Sequence, residues 1–165
     1  MKESGLENRE RPAVEVSTIT GDELFNRIYQ GESLPQDKRF TDFKRGGAFK
    51  YLHLNELVGM YEKRDSLSYS IVEEGDKIVG MAELQNDPDL ENNLWLKFVS
   101  VDPAYQGLGY SSKLIEEIFR VAKERGCSIQ VSRFSDEGKQ RLKRAIIAEA
   151  EKTAVPVIDE HKQLV

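Results

Sequence analysis

Between Phe98 and Ser111 a run of strand-forming residues, Phe98-Val99-Ser100-Val101, is followed closely by a turn with two glycines, Gln106-Gly107-Leu108-Gly109-Tyr110-Ser111. Residues of these types do their chemistry through the main chain. Glycines let successive N–H groups face outward and approach a ligand closely, and a helix start adds unpaired donors and the positive end of a dipole. A pyrophosphate suits such a cradle. A turn that only needs glycine geometry has the same short pattern, so the flanking elements must decide between the two readings.

Those elements are a strand before the turn and an amphipathic helix after it. Leu94-Trp95-Leu96-Lys97-Phe98-Val99-Ser100-Val101 is rich in aromatic and β-branched residues, and Asp102-Pro103 ends it because proline donates no ladder hydrogen bond. After the turn, Leu114, Ile115, Ile118, Phe119 and Ala122 recur at helical spacing, with Lys113, Glu116, Glu117, Arg120 and Lys123 largely on the other face. Gly126, preceded by Lys123 and Arg125, marks the helix end.

With the strand ending in Val101-Asp102-Pro103 and the turn running from Gln106 to Ser111, the segment resembles the signature of the GNAT superfamily of acyl-CoA-dependent N-acyltransferases. That signature reads Q/R-x-x-G-x-G/A after a strand ending in V-x-P, and Ser111 stands where glycine or alanine is usual. The resemblance implies an α+β, three-layer fold with a mixed, largely antiparallel central sheet flanked by helices. It further implies acetyl-CoA as acyl donor and an amine of a small molecule, peptide or protein as acceptor, with direct transfer. Phe98, Val99, Ser100 and Val101 are then expected to pair with the pantetheine arm, and a backbone N–H there polarises the acyl carbonyl. Gln106, Gly107, Leu108, Gly109, Tyr110 and Ser111 are expected to hold the pyrophosphate. The cofactor cleft is expected where the signature strand diverges from the next one.

Acyl transfer to an amine also needs a base and a proton donor for the departing thiolate. The family pattern N-x-x-A-x-x-L-Y aligns with Ser135 to Leu142 and puts leucine where the family has its tyrosine. That absence motivates an alternative, a non-catalytic acyl-CoA-binding or regulatory module; another phosphorylated ligand on the same turn is a third reading. Glu83 is the preferred base, since Val79 and Met81 imply partial burial of its strand and burial raises a carboxyl pKa. Antiparallel pairing with the signature strand offers Glu83 a second role, a cross-strand ion pair with Lys97. Glu91 and Asn93 sit at the entrance to that strand, and Ser132 and Ser135 at the end of the fifth, with helix capping the stronger role for Ser135. Tyr105 and Tyr110 flank the turn and read first as packing residues.

One cysteine, Cys127, excludes an intramolecular disulfide and favours a reducing compartment; it reads as a half-buried structural thiol. Two histidines, His53 and His161, make a histidine metal cluster unavailable, so no metal is expected. The net charge of −5 argues against nucleic acid as the main partner. No apolar segment is long enough to span a bilayer, and a cytoplasmic protein is expected.

The chain divides into a polar, mobile leader at 1–12, one domain at 13–158 and a polar tail at 159–165. A first strand holds Val14, Val16 and Ile19, and Thr20 with Glu23 forms a capping box for a helix over Asp22 to Gln30 that buries Leu24, Phe25 and Ile28. A long charged loop spans Gly31 to Gly47, and a second helix Phe49 to Arg64. Leu67 to Glu73 and Lys77 to Leu84 form a hairpin about Glu74-Gly75-Asp76, and Gln85 to Asn93 leads to the signature strand. A fifth strand runs Ser128 to Phe134, a helix starts at Ser135-Asp136-Glu137 and turns Leu142, Ala145 and Ile146 inward, and an edge strand lies at Val155 to Ile158. No sustained heptad appears, so oligomeric state is open.

Overall fold

The computed structural model describes residues 12–29, 59, 61–75, 77–87, 90–132, 139–159 and 164. Six strands form one mixed sheet in chain order: β1 (Val14–Thr20), β2 (Leu67–Glu74), β3 (Lys77–Asn86), β4 (Asn93–Val101), β5 (Ser128–Val131) and β6 (Val157–Ile158). The first four pair antiparallel, while β4–β5 and β5–β6 are parallel. Among the described residues three α-helices accompany them, α1 (Gly21–Tyr29), α2 (Tyr110–Arg125) and α3 (Lys139–Thr153), giving the α+β architecture expected from the sequence.

Local sequence accounts for much of this order. At the start of α1 the Thr20 N–H donates to Glu23 Oε2 at 2.9 Å and the Glu23 N–H donates to Thr20 Oγ1 at 3.1 Å, the reciprocal capping box. The helix then buries Leu24 and Phe25 completely or nearly so. Gly75 takes φ +65° in the β2–β3 turn. At the far end of α2, Gly126 takes up a left-handed conformation and its N–H reaches the Ala122 and Lys123 carbonyls.

The apolar stripe of α2 lies across the sheet, touching β1 through β5, and α3 packs against α2. Beneath it Leu84, Leu94, Leu96, Ile115, Phe119 and Ile146 belong to one buried cluster, to which Leu142 and Ala145 of α3 add partly buried surface. A second cluster joins Val72, Val79, Tyr110 and Leu114 where α2 begins. Each such side chain contributes about 1.5–3 kcal/mol through burial, so the amino end of α2 is fixed by its own core.

Several boundaries differ from the sequence expectation. α1 begins at Gly21, β3 extends to Asn86, and β4 starts at Asn93, which takes up residues read as connection. Asn92 occupies the turn with φ +60°, a conformation asparagine tolerates. β5 ends at Val131, and β6 is only Val157–Ile158, at the sheet edge as expected. Of the second helix, Gly59, Tyr61 and Glu62 are helical and a 3₁₀ turn follows at Arg64–Ser66. Residues 1–11 of the leader, the Gly31 to Gly47 loop, the remainder of that helix apart from Lys63, and Ser135 to Glu137 lie outside the described residues, as do His53 and His161.

Candidate active site

β4 changes its pairing halfway along its length. Its register with β3 shifts between Glu83↔Phe98 and Leu84↔Leu96, so Lys97 is an extra residue, a β-bulge that the sequence does not announce. On its other side, pairing with β5 ends at Leu96↔Val131. From Lys97 to Val101, therefore, β4 has no described strand partner on the β5 side. Main-chain groups there are left to face the space between the diverging strands. A cleft of about 990 Å³ opens at this place.

Val99, Ser100 and Val101 form one wall of the cleft, and Gln106, Gly107, Gly109, Tyr110 and Ser111 form its floor. Gly107 and Gly109 hold φ of +81° and +80°. A Cβ at either would meet nothing within 4 Å, so it is the left-handed backbone and not crowding that calls for glycine. No side chain caps the amino end of α2, whose first-turn N–H groups have no intrahelical acceptor. The turn is braced from below: buried Asp102 accepts from the Ala104 N–H at 3.0 Å, and its own N–H donates to the Val79 carbonyl at 2.9 Å.

Of the ten expected cofactor residues, eight line this cleft; Phe98 and Leu108 do not, and the Leu108 side chain is exposed. Tyr110 presents main chain to the cleft while its ring is buried and its hydroxyl donates to Glu74 Oε2 at 2.8 Å, which agrees with the packing role read from sequence. Tyr105 packs on the same cluster beneath Lys77, whose ammonium lies 5.3 Å from the ring centroid.

Further along, α2 is tied to the sheet by a polar cluster. Glu117 accepts from Thr18 at 2.9 Å and from the Nε and a terminal nitrogen of Arg120, both at 2.8 Å, while Thr18 and Ser70 share a 2.8 Å hydrogen bond. Burial pushes the Glu117 carboxyl up, but the Arg120 and Thr18 hydrogen bonds outweigh it and hold the group below its ordinary value.

Glu83 is buried and accepts a 2.9 Å hydrogen bond from the Tyr69 hydroxyl on β2. Burial, and then the adjacent Glu83 carboxylate, push the Tyr69 phenol far above its usual range, so it stays a neutral donor. The expected alignment of Glu83 with Lys97 is not the register observed. The bulge sets Glu83 opposite Phe98, where the unpaired stretch of β4 begins. Lys97 instead stacks its ammonium 3.4 Å from the Trp95 ring centroid. Desolvation lowers its pKa, with Glu83 opposing that shift and Lys63 reinforcing it.

Ser132 accepts a 2.6 Å hydrogen bond from the Trp95 indole. Asn93 is buried, donating to Gln130 Oε1 at 2.9 Å and accepting from Ser128 at 3.1 Å; Glu91 is exposed. Cys127 is half-buried against the core, as expected of a structural thiol. Among the described residues no group of three or more histidine, cysteine, aspartate or glutamate side chains could hold a metal, and no helix is long and apolar enough to cross a membrane.

Sequence reasoning missed one wall of the cleft. Arg141, Leu142, Arg144 and Ala145 of α3 line it, and Leu142 is the residue at the family's tyrosine position. Their spacing, one helical face, was the available signal. The apolar members of that face read from the sequence as core alone.

The profile of the acetyltransferase (GNAT) family matches residues 25–142. Solved structures share the fold at low sequence identity. An aminoglycoside acetyltransferase, meta-AAC0020, from an uncultured soil metagenomic sample, in complex with sisomicin, is 15% identical with TM-score 0.53, covering 80% of this chain and 84% of that one. A ribosomal-protein-alanine N-acetyltransferase from Brucella melitensis biovar Abortus 2308 is 13% identical with TM-score 0.51, covering 80% and 89%. The aminoglycoside N-acetyltransferase AAC(6')-Iy in complex with CoA is 18% identical with TM-score 0.50, covering 82% and 89%. No curated protein matches the sequence.

Proposed function

Because this chain belongs to the acetyltransferase (GNAT) family, we propose that it moves an acetyl group from acetyl-CoA directly to an amine of a small molecule, peptide or protein. The observation that carries this reading is the cleft between β4 and β5, where main chain without a described strand partner meets the uncapped amino end of α2. Its size and its main-chain donors fit a long, anionic, extended ligand.

In this reading the N–H groups of the Gly107 to Ser111 turn and of the first turn of α2 hold the pyrophosphate. The backbone of Phe98 to Val101 pairs with the pantetheine arm, and an N–H there stabilises charge developing on the acyl oxygen. Bound acetyl-CoA supplies the activated acyl group. Glu83, buried beside Phe98 and outside the described lining of the cleft, acts as the general base that takes a proton from the acceptor amine through water. Tyr69 holds the Glu83 carboxylate in position. A cytoplasmic location belongs to the same reading, supported by the single thiol.

Matched folds serve both an aminoglycoside enzyme and a ribosomal-protein enzyme, so acceptor identity does not follow from architecture. One observation favours a second reading, a non-catalytic acyl-CoA-binding module: Leu142 lines the cleft where the family has its tyrosine and has no proton to give. Titration with acetyl-CoA, followed by thiol release across a panel of amines, separates the two. Binding with amine-dependent release supports the enzyme, binding without release from any amine supports the module, and no binding overturns both.

A further inference from the structure

Resting on the acetyltransferase reading above, we propose that Lys97, with Lys63 near it and stacked on Trp95, forms an anion subsite that selects acceptor amines bearing a nearby carboxylate or phosphate. Its place follows from strand alternation. Leu94 and Leu96 of β4, Ala82 and Leu84 of β3, and Ile129 and Val131 of β5 all belong to the core that packs on α2. The side chains between them in each strand face the other way, which puts Trp95, Glu83 and Gln130 on the sheet face opposite α2. Lys97 joins them, since its ammonium stacks on the Trp95 ring. The cofactor cleft is lined from the α2 and α3 side. An acceptor that approaches the gap between β4 and β5 from the opposite face therefore meets these side chains.

Three features of that face fit an anion. First, Trp95 is anchored: its indole N–H donates to Ser132 at 2.6 Å, and the Lys97 ammonium lies 3.4 Å from its ring centroid. A ring positions an ammonium without neutralising it. Second, the charge is unspent. Arg27, Arg64 and Arg120 each pair with a carboxylate, whereas neither Lys97 nor Lys63 makes an ion pair with any described residue. Third, Lys63, from the segment before β2, is close enough for its charge to act on Lys97. Two like charges brought together from different elements are relieved by an anion that both can reach. Lys97 directly precedes Phe98, where the proposed acyl-binding strand begins, so the anionic group and the amine must lie close together in one molecule, as they do in an amino acid. The net charge of −5 by itself would draw a polycation, and the lysine pair opposes that preference locally.

Matched amines test the assignment on the full chain: amino acids against their carboxamides, and phosphoethanolamine against ethanolamine, for wild type and the Lys63→Gln/Lys97→Gln double variant. Thiol release from acetyl-CoA reads turnover. Trp95 is the only tryptophan, so its fluorescence reads occupancy of the site without turnover. Wild type is expected to favour the anionic member of at least one pair by about tenfold in kcat/KM, or about 1.4 kcal/mol. That member alone is expected to give a saturable change in Trp95 fluorescence, and the responding pair tells carboxylate from phosphate. In the double variant the ratio is expected near one, through a rise in KM for the anionic member, with the acetyl-CoA Kd retained. Wild type showing neither the preference nor the fluorescence change overturns the subsite, as does a preference that survives in the folded variant. Where acetyl-CoA binds and no amine is turned over, the fluorescence titration alone decides. Failure of acetyl-CoA to bind overturns the acetyl-CoA reading itself and the subsite with it.

Discussion

The glycine turn and the Glu83 pocket lie on either side of the bulged strand β4, and they are built by opposite means. The turn uses main chain: two left-handed glycines, an uncapped helix end, and a strand with no described neighbour on the β5 side beyond Leu96. Apart from the glycines, its side chains are incidental, as Leu108 shows by pointing to solvent. The Glu83 pocket uses side chains from three strands, Tyr69 on β2, Glu83 on β3 and Lys97 on β4, and each position depends on register. One bulged residue decides whether Glu83 faces Lys97 or Phe98. A site made of backbone tolerates sequence drift outside its glycines, whereas a site made of side chains is remade by a single register shift.

The largest effect that follows from this contrast is expected at Gly109. Gly109→Trp adds bulk to the floor of the cleft and forces a Cβ into a left-handed backbone, a strain of about 1–2 kcal/mol. Acetyl-CoA affinity in isothermal titration is expected to fall by about 100-fold or more, roughly 2.7 kcal/mol, with circular dichroism unchanged. Full affinity in a folded variant would place the cradle elsewhere.

Glu83→Gln tests the other side. A general base contributes about 10²–10⁴-fold, so kcat is expected to drop on that scale while the acetyl-CoA Kd stays put. A variant that keeps wild-type turnover at every pH would leave Glu83 a packing residue and empty the comparison of its catalytic half. Tyr69→Phe should act more gently. Hydrogen bonds to charged groups are worth about 1.5–3 kcal/mol, and a phenol donating to a carboxylate favours the ionised form. Removing it is expected to move the acid limb of the kcat/KM profile to higher pH, with acetyl-CoA affinity retained. A profile that drops in height without moving would mean that Tyr69 supports packing only.

The same contrast explains what the sequence made legible. The capping box at Thr20 and Glu23, the Gly75 turn, the α2 stripe and the glycine turn before α2 depend on neighbours a few residues apart, and all were readable. The adjacency of β2, β3 and β4 followed from short connections, whereas the places of β1, β5 and β6, reached through long helical segments, and the length of β6 did not. The Lys97 bulge was not readable, because an extra residue in a ladder leaves the alternation of Trp95 to Val101 ambiguous until β3 is laid beside it. Arg141 and Arg144 escaped for a related reason. Their helical face was visible, but its partner across the cleft is thirty residues away in sequence.

The smallest effect concerns the tie between α2 and the sheet, and it probes whether the cradle is as local as its construction implies. Glu117 lies two turns beyond Gly109 and is held below its ordinary pKa by Arg120 and Thr18 against the push of burial. A carboxyl with a depressed folded pKa stabilises the fold fully above its unfolded value, about 4.3, and loses that contribution as pH falls through the lower folded value. Glu117→Gln, which keeps a hydrogen-bonding side chain, is expected to cost about 1 kcal/mol and roughly 2–4 °C in Tm at neutral pH. That gap between variant and wild type should hold from pH 7 to about 5 and close below about 4; a gap constant down to pH 3 would mean the charge contributes nothing. Because the cradle is fixed by its own glycines and by the Tyr110 and Leu114 cluster, acetyl-CoA affinity of the folded variant is expected to stay within about twofold, under half a kcal/mol. A loss of affinity in step with the loss of Tm would show that the main-chain site also depends on a distant side chain, and the distinction between the two regions would fail.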